Sequence, residues 1–102
     1  MTKELVYPYH ASKEREATIR DNWERIRESM TQDEVVGILG EPDERSRLYE
    51  PKVWGPKEIG STYWYVIQRM QKNGSVIEKD EKLVRVAFDL KGSVIGIVQW
   101  GL

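Results

Sequence analysis

The sequence predicts an α+β fold: two N-terminal helices packed on one face of a three- to four-stranded antiparallel sheet. Two observations carry this. Apolar residues at helical spacing, with helix-start and helix-stop residues around them, lie before residue 41, whereas runs rich in aromatic and β-branched residues lie after residue 61. In addition, Asp89-Leu90-Lys91-Gly92 has the make-up of a short hairpin turn, which makes the last two strands antiparallel neighbours. At 102 residues and 12.0 kDa, the chain is expected to form one domain over 1–102.

Residues 1–11 read as an extended lead-in, because Pro8 lacks a donor and biases Tyr7 away from helix. Residues 12–40 hold both helices. Ser12 is an N-cap residue, with Glu14 and Glu16 in the favourable first turn. Ile19, Trp23, Ile26 and Met30 follow at i, i+4, i+7 and i+11, one apolar stripe that predicts a helix over 13–29. Asp21 with Glu24 offers a second start, but Ile19 extends the same stripe, which favours one helix. Thr31-Gln32-Asp33-Glu34 is a capping box with Met30 in the staple position, and it opens a helix over 32–39. Gly40 and Pro42 end that helix.

Residues 41–61 are rich in Pro, Gly and charge and read as loop, with a short edge strand near Arg47-Leu48-Tyr49. The sheet is expected over 62–100, with strands at Thr62 to Met70, Leu83 to Leu90 and Ser93 to Trp100. A charged stretch, 71–82, joins the first two of these and contains an Asn73-Gly74 turn.

Alternation assigns Trp64, Val66, Met70, Val84, Val86, Phe88 and Leu90 to a core face. It leaves Tyr63, Tyr65, Ile67, Arg69, Leu83, Arg85, Ala87 and Asp89 on the other. That second face mixes tyrosine, arginine and aliphatic residues, the composition of an interface hot spot.

The composition narrows the function. Basic and acidic residues number 16 and 17, and residues 1–30, 31–60 and 61–102 carry net charges of zero, −3 and +2. No third forms the basic stripe of a nucleic-acid binder, and no RNP motif accompanies the tyrosine-rich strand, so no nucleic-acid partner is expected. Cysteine is absent, which excludes disulfides, thiolate metal sites and thiol nucleophiles. His10 is the single histidine and has no partner at metal-ligating spacing. The nucleophile-elbow, Walker A and dinucleotide-binding signatures are missing, and the carboxylates of Asp33, Glu34, Glu41, Asp43 and Glu44 lack EF-hand spacing. No catalytic residue, metal or cofactor is expected. The Asn73-Gly74-Ser75 triplet reads as a turn. No run approaches the ~20 apolar residues of a membrane span. A complete chain would be cytoplasmic; one from which a leader had been removed would be periplasmic.

Four tryptophans exceed what one small core requires. Trp23 and Trp64 read as core. Trp54, in a polar loop, is a candidate anchor for a partner, and Trp100 fits either a core edge or an exposed position.

The order of elements and four local motifs resemble the SmpA/OmlA (BamE-like) family. The residues that carry the resemblance are Trp23 and Ile26 before Ser29-Met30-Thr31; Glu34-Val35 with Leu39-Gly40-Glu41-Pro42; Thr62 to Val66; and Val84 and Val86 to Asp89 with Gly92 and Val94. They span about residues 23–98. The chain departs from the family in having Ser29 where glycine is usual, a long segment over 43–60, and no lipobox cysteine. The resemblance implies two helices on a three- or four-stranded antiparallel sheet and a non-enzymatic adaptor. It also implies an architecture related to β-lactamase-inhibitory proteins, which grip their targets with an aromatic-rich sheet.

The resulting expectation is a protein-binding module that buries Tyr63, Tyr65 and Ile67 against a partner, with Arg69 and Arg85 setting register and Trp54 as a loop anchor. Tyr65→Ala would then weaken the partner complex and leave melting unchanged. The alternative is a small cytosolic inhibitor or immunity protein that neutralises a toxin or enzyme. Partner identity and oligomeric state are not encoded in any motif.

Overall fold

The computed structural model describes residues 9–50, 57–69 and 81–102. Ser12 caps helix α1 (Lys13–Asn22), its Oγ accepting the Arg15 N–H at 3.2 Å. The helix is shorter than the apolar stripe predicts. At Asn22 φ falls to −124°, and the side-chain amide donates to the Thr18 carbonyl at 2.8 Å. Asparagine competes in this way with the helical backbone. A 3₁₀ turn, Trp23–Arg25, continues the right-handed path. The stripe therefore still lands: Ile19 and Ile26 are buried, and Trp23 and Met30 pack against the same cluster.

Helix α2 (Gln32–Leu39) has the bounds and the capping box expected. The Glu34 N–H donates to Thr31 Oγ1 and the Thr31 N–H to Glu34 Oε1, both at 3.1 Å. Its last turn closes on Gly40, whose N–H reaches the Val36 carbonyl at 2.8 Å with φ +86°.

Among the described residues, five antiparallel strands form one sheet: β1 (Tyr9–His10), β2 (Glu44–Tyr49), β3 (Glu58–Arg69), β4 (Lys82–Asp89) and β5 (Val94–Trp100). The order across the sheet is β1, β3, β4, β5, with β2 sharing the β1 edge of β3. The stretch 41–61, expected as loop, thus contains all of β2 and the start of β3. Asp43 fills the gap between the two short edge strands. Its Oδ2 accepts the Val66 N–H at 2.7 Å and Arg15 Nη2 at 3.0 Å. The β4–β5 hairpin turns at Gly92 (φ +81°), and Asp89 Oδ1 accepts the Lys91 and Ser93 N–H groups.

Both helices lie on one face, over a core of Ile19, Ile26, Val35 and Leu39 against Tyr63, Tyr65, Ile67, Val84, Val86 and Phe88. This corrects the predicted faces. Tyr63 is opposite Val86 and Tyr65 opposite Val84, so the tyrosines share the helix-side face and Trp64 points away from it. Because both parities of β3 are apolar, alternation cannot choose between them, and a one-residue shift exchanges every side chain. Leu90, assigned to the core, is exposed in the hairpin turn, and Met70 lies outside the described residues.

Candidate functional site

The face turned away from the helices is ordered in rows across the strands and is only partly exposed, since Thr62, Val66 and Leu83 on it are buried. One row runs Glu44, Trp64, Arg85, Val98; the next holds Val66, Leu83 and Trp100; on the other side are Ser46, Thr62, Ala87 and Gly96. Trp64 is fixed within its row. Its indole N–H donates to Ser46 Oγ at 3.0 Å and to Thr62 Oγ1 at 3.2 Å, and those two hydroxyls bond to each other. The Arg85 guanidinium carbon lies 5.4 Å from the Trp64 ring centroid, a cation–π distance. Val98 and Trp100 are 49% and 46% exposed. The face therefore combines a pinned indole, a cation at its ring, and two half-exposed apolar side chains. Such a surface is suited to recognition where it is open, since Trp64 and Arg85 are already placed and Val98 and Trp100 stay half exposed, whereas Val66 and Leu83 beside them are buried.

The tyrosine side is occupied by the chain itself. Tyr65 is fully buried, and its hydroxyl donates to the Gly40 carbonyl at 2.9 Å. Burial pushes its phenol well above the ordinary range, with the nearby Tyr63 adding to that rise and the Arg15 guanidinium opposing it. Arg15 sits 5.8 Å from the Tyr65 ring centroid, and Arg45 sits 5.1 Å from that of Tyr63. Tyr63 also meets Phe88 edge-on at 4.6 Å. The two tyrosines expected to grip a partner beside Arg69 and Arg85 instead pack within the chain, against Arg15 and Arg45.

Of the predicted partner-binding residues, Tyr63, Tyr65 and Ile67 are thus core side chains. Truncating Tyr65 would cost ~3–5 kcal/mol of stability, the opposite of the sequence-based expectation. Arg85 lies on the helix-free face. The Arg69 backbone pairs with Tyr9, while its side chain and the whole of Trp54 lie outside the described residues. The residues missed are Trp64, Val98 and Trp100. The outward parity of Arg85 was already read from the sequence; the β4–β5 pairing, which puts Val98 opposite Arg85, carries that parity to Val98 and Trp100.

Elsewhere the geometry offers little chemistry. His10 Nδ1 lies 2.8 Å from the Ala11 carbonyl oxygen, and Nε2 is 3.6 Å from the Glu16 carboxylate. Among the described residues, no group of three or more His, Asp or Glu side chains is placed to hold a metal ion. A wide-open polar depression of about 210 Å³ beside Gln32, Ser61, Asp89 and Lys91 has no convergent catalytic groups. No helix of the described residues is long and apolar enough to cross a membrane.

No protein-family model and no curated protein sequence matches the chain. Among solved structures, it is similar to one described as the osmotically inducible lipoprotein OsmE. The two share 27% identity, and the match has a TM-score of 0.51 and covers 80% of this chain and 79% of that one. The likeness supports the BamE-like fold to which the sequence motifs pointed; it does not extend to the β-lactamase-inhibitory proteins.

Proposed function

We propose that this chain is a non-enzymatic protein-interaction module of the BamE-like adaptor kind, and that it works through the helix-free face of its sheet. The observation that carries the reading is the row Glu44–Trp64–Arg85–Val98, with Trp100 exposed beside it. Arg85, preorganised over Trp64, would accept a partner carboxylate at little further ordering cost, while Val98 and Trp100 supply apolar area at about 25 cal/mol per Å². The likeness to a lipoprotein domain supports the same class of function.

The test is site-specific photo-crosslinking in the source cells. Benzoylphenylalanine at position 87, central on the helix-free face, is expected to give a discrete adduct with another protein. The same probe at Glu24, in the 3₁₀ turn, is expected to give none. Arg85→Glu should abolish the position-87 adduct. Adducts from position 24 alone would contradict the reading.

A further inference from the structure

The two edges of the sheet are built differently. On the β1/β2 side, Glu44, Arg45 and Arg47 place charges along the edge, β1 is only two residues long, and Asp43 caps the gap between the two strands. Natural sheets protect their edges in this way. On the other side β5 is the last strand among the described residues, and from Gly92 to Leu102 there is no charged side chain in a chain that is 32% charged. Ser29–Thr31 covers only its beginning: the Ser29 N–H donates to the Val94 carbonyl, the Val94 N–H donates to the Met30 carbonyl, and Thr31 bridges to Ser93.

The orientation of the remaining backbone follows from one bond. The Val66 N–H points to Asp43, on the β2 edge. Alternation through the register then turns Tyr63 and Tyr65 toward β4, Leu83 and Arg85 toward β5, and Val98 and Trp100 toward β4. Ile97 and Gln99 are left with both N–H and C=O directed outward, and no backbone partner reaches them among the described residues.

We infer that this edge pairs with β5 of a second copy of the chain, antiparallel, about a two-fold axis at Val98. The occupant follows from self-complementarity. With the axis at Val98, Ile97 and Gln99 of one copy exchange both backbone bonds with Gln99 and Ile97 of the other. Val98 meets its own counterpart in a non-hydrogen-bonded pair, where side chains come closest. Gly96 falls opposite Trp100. A Cβ built at Gly96 would meet nothing within 4 Å, so the glycine leaves a notch on the face from which the indole of the other copy projects. No like charges are brought together, and a charged partner strand would find nothing to pair with. The rows then continue across the axis, from Trp64 and Arg85 of one copy to Arg85 and Trp64 of the other, as one extended helix-free face. This goes beyond the proposed function and does not depend on it.

Sedimentation velocity across micromolar concentrations, with amide exchange followed at Ile97 and Gln99, tests the pairing. The unmodified protein is expected to dimerise, with exchange at both amides slowing at least about tenfold as the dimer fills. Gln99→Pro removes an outward N–H. Gly96→Lys fills the notch at a site with free space and keeps the variant set informative should the proline disturb folding. Either variant, with an unchanged far-ultraviolet circular dichroism spectrum, should be monomeric. A wild-type protein that stays monomeric throughout would overturn the inference, as would a dimer that survives both folded variants. Because Gln99→Pro leaves the side chains of the helix-free face in place, loss of the dimer with retention of the position-87 crosslink in that variant separates this pairing from partner binding.

Discussion

Ser29 adopts φ +72°, the only described non-glycine residue with a positive value. The strained turn is what lets Ser29 and Met30 reach Val94. Glycine adopts this conformation without a Cβ penalty, and the related family usually has glycine here. Ser29→Gly should therefore raise stability by about 0.5–1 kcal/mol, and Ser29→Val should lower it by more than that, as read from urea midpoints. Tyr65 makes a second residue-scale prediction. Its folded-state pKa is raised above the unfolded value near 10, so its contribution is intact below pH ~10 and declines above, where only the unfolded chain readily loses the proton. The melting temperature should fall as pH rises past that point, and less steeply in Tyr65→Phe. At neutral pH the same variant loses the bond to Gly40, worth about 1 kcal/mol. The sequence marks Ser29 as a departure, but only the backbone angle reveals its cost.

At the scale of elements, Asp43 shows how a short loop residue organises an edge. Its carboxylate joins α1 to β3 through Arg15 and Val66, and Tyr9 lies against it at 3.5 Å. Asp43→Ala would leave the Val66 N–H without its acceptor and the Arg15 guanidinium without its counter-charge, with only the Glu41 carbonyl still accepting from it, and chemical denaturation should report a loss of ~2–3 kcal/mol. Helix α2 was readable to the residue because its capping box, Gly40 and Pro42 are local signals. The end of α1 was not, since the stripe continues through the 3₁₀ turn and only Asn22 hints at the break. Strand β2 was read short because its alternate exposed charges resemble a solvated loop. In β3, Thr62-Trp64-Val66 and Tyr63-Tyr65-Ile67 are equally apolar. Only pairing with β4, across a connection whose path no local motif encodes, decides which set faces the helices.

For the whole molecule, helices before strands and a closing hairpin sufficed to read two helices on an antiparallel sheet. The faces of β4 were legible, with Val84, Val86 and Phe88 inward and Arg85 outward; those of β3 were exchanged, so Tyr63 and Tyr65 lie under the helices, because register is a property of paired strands. The corrected face moves the candidate site from Tyr63 and Tyr65 to Trp64, Arg85, Val98 and Trp100. The most direct measurement of that claim is the affinity of the crosslinked partner, once isolated, for Arg85→Ala and Trp100→Ala, with Glu24→Ala as control. The account predicts that each of the first two weakens the complex by about 2 kcal/mol, roughly thirtyfold in Kd, with melting temperatures nearly unchanged. Unaltered affinity in both, with loss confined to Glu24→Ala, would contradict it.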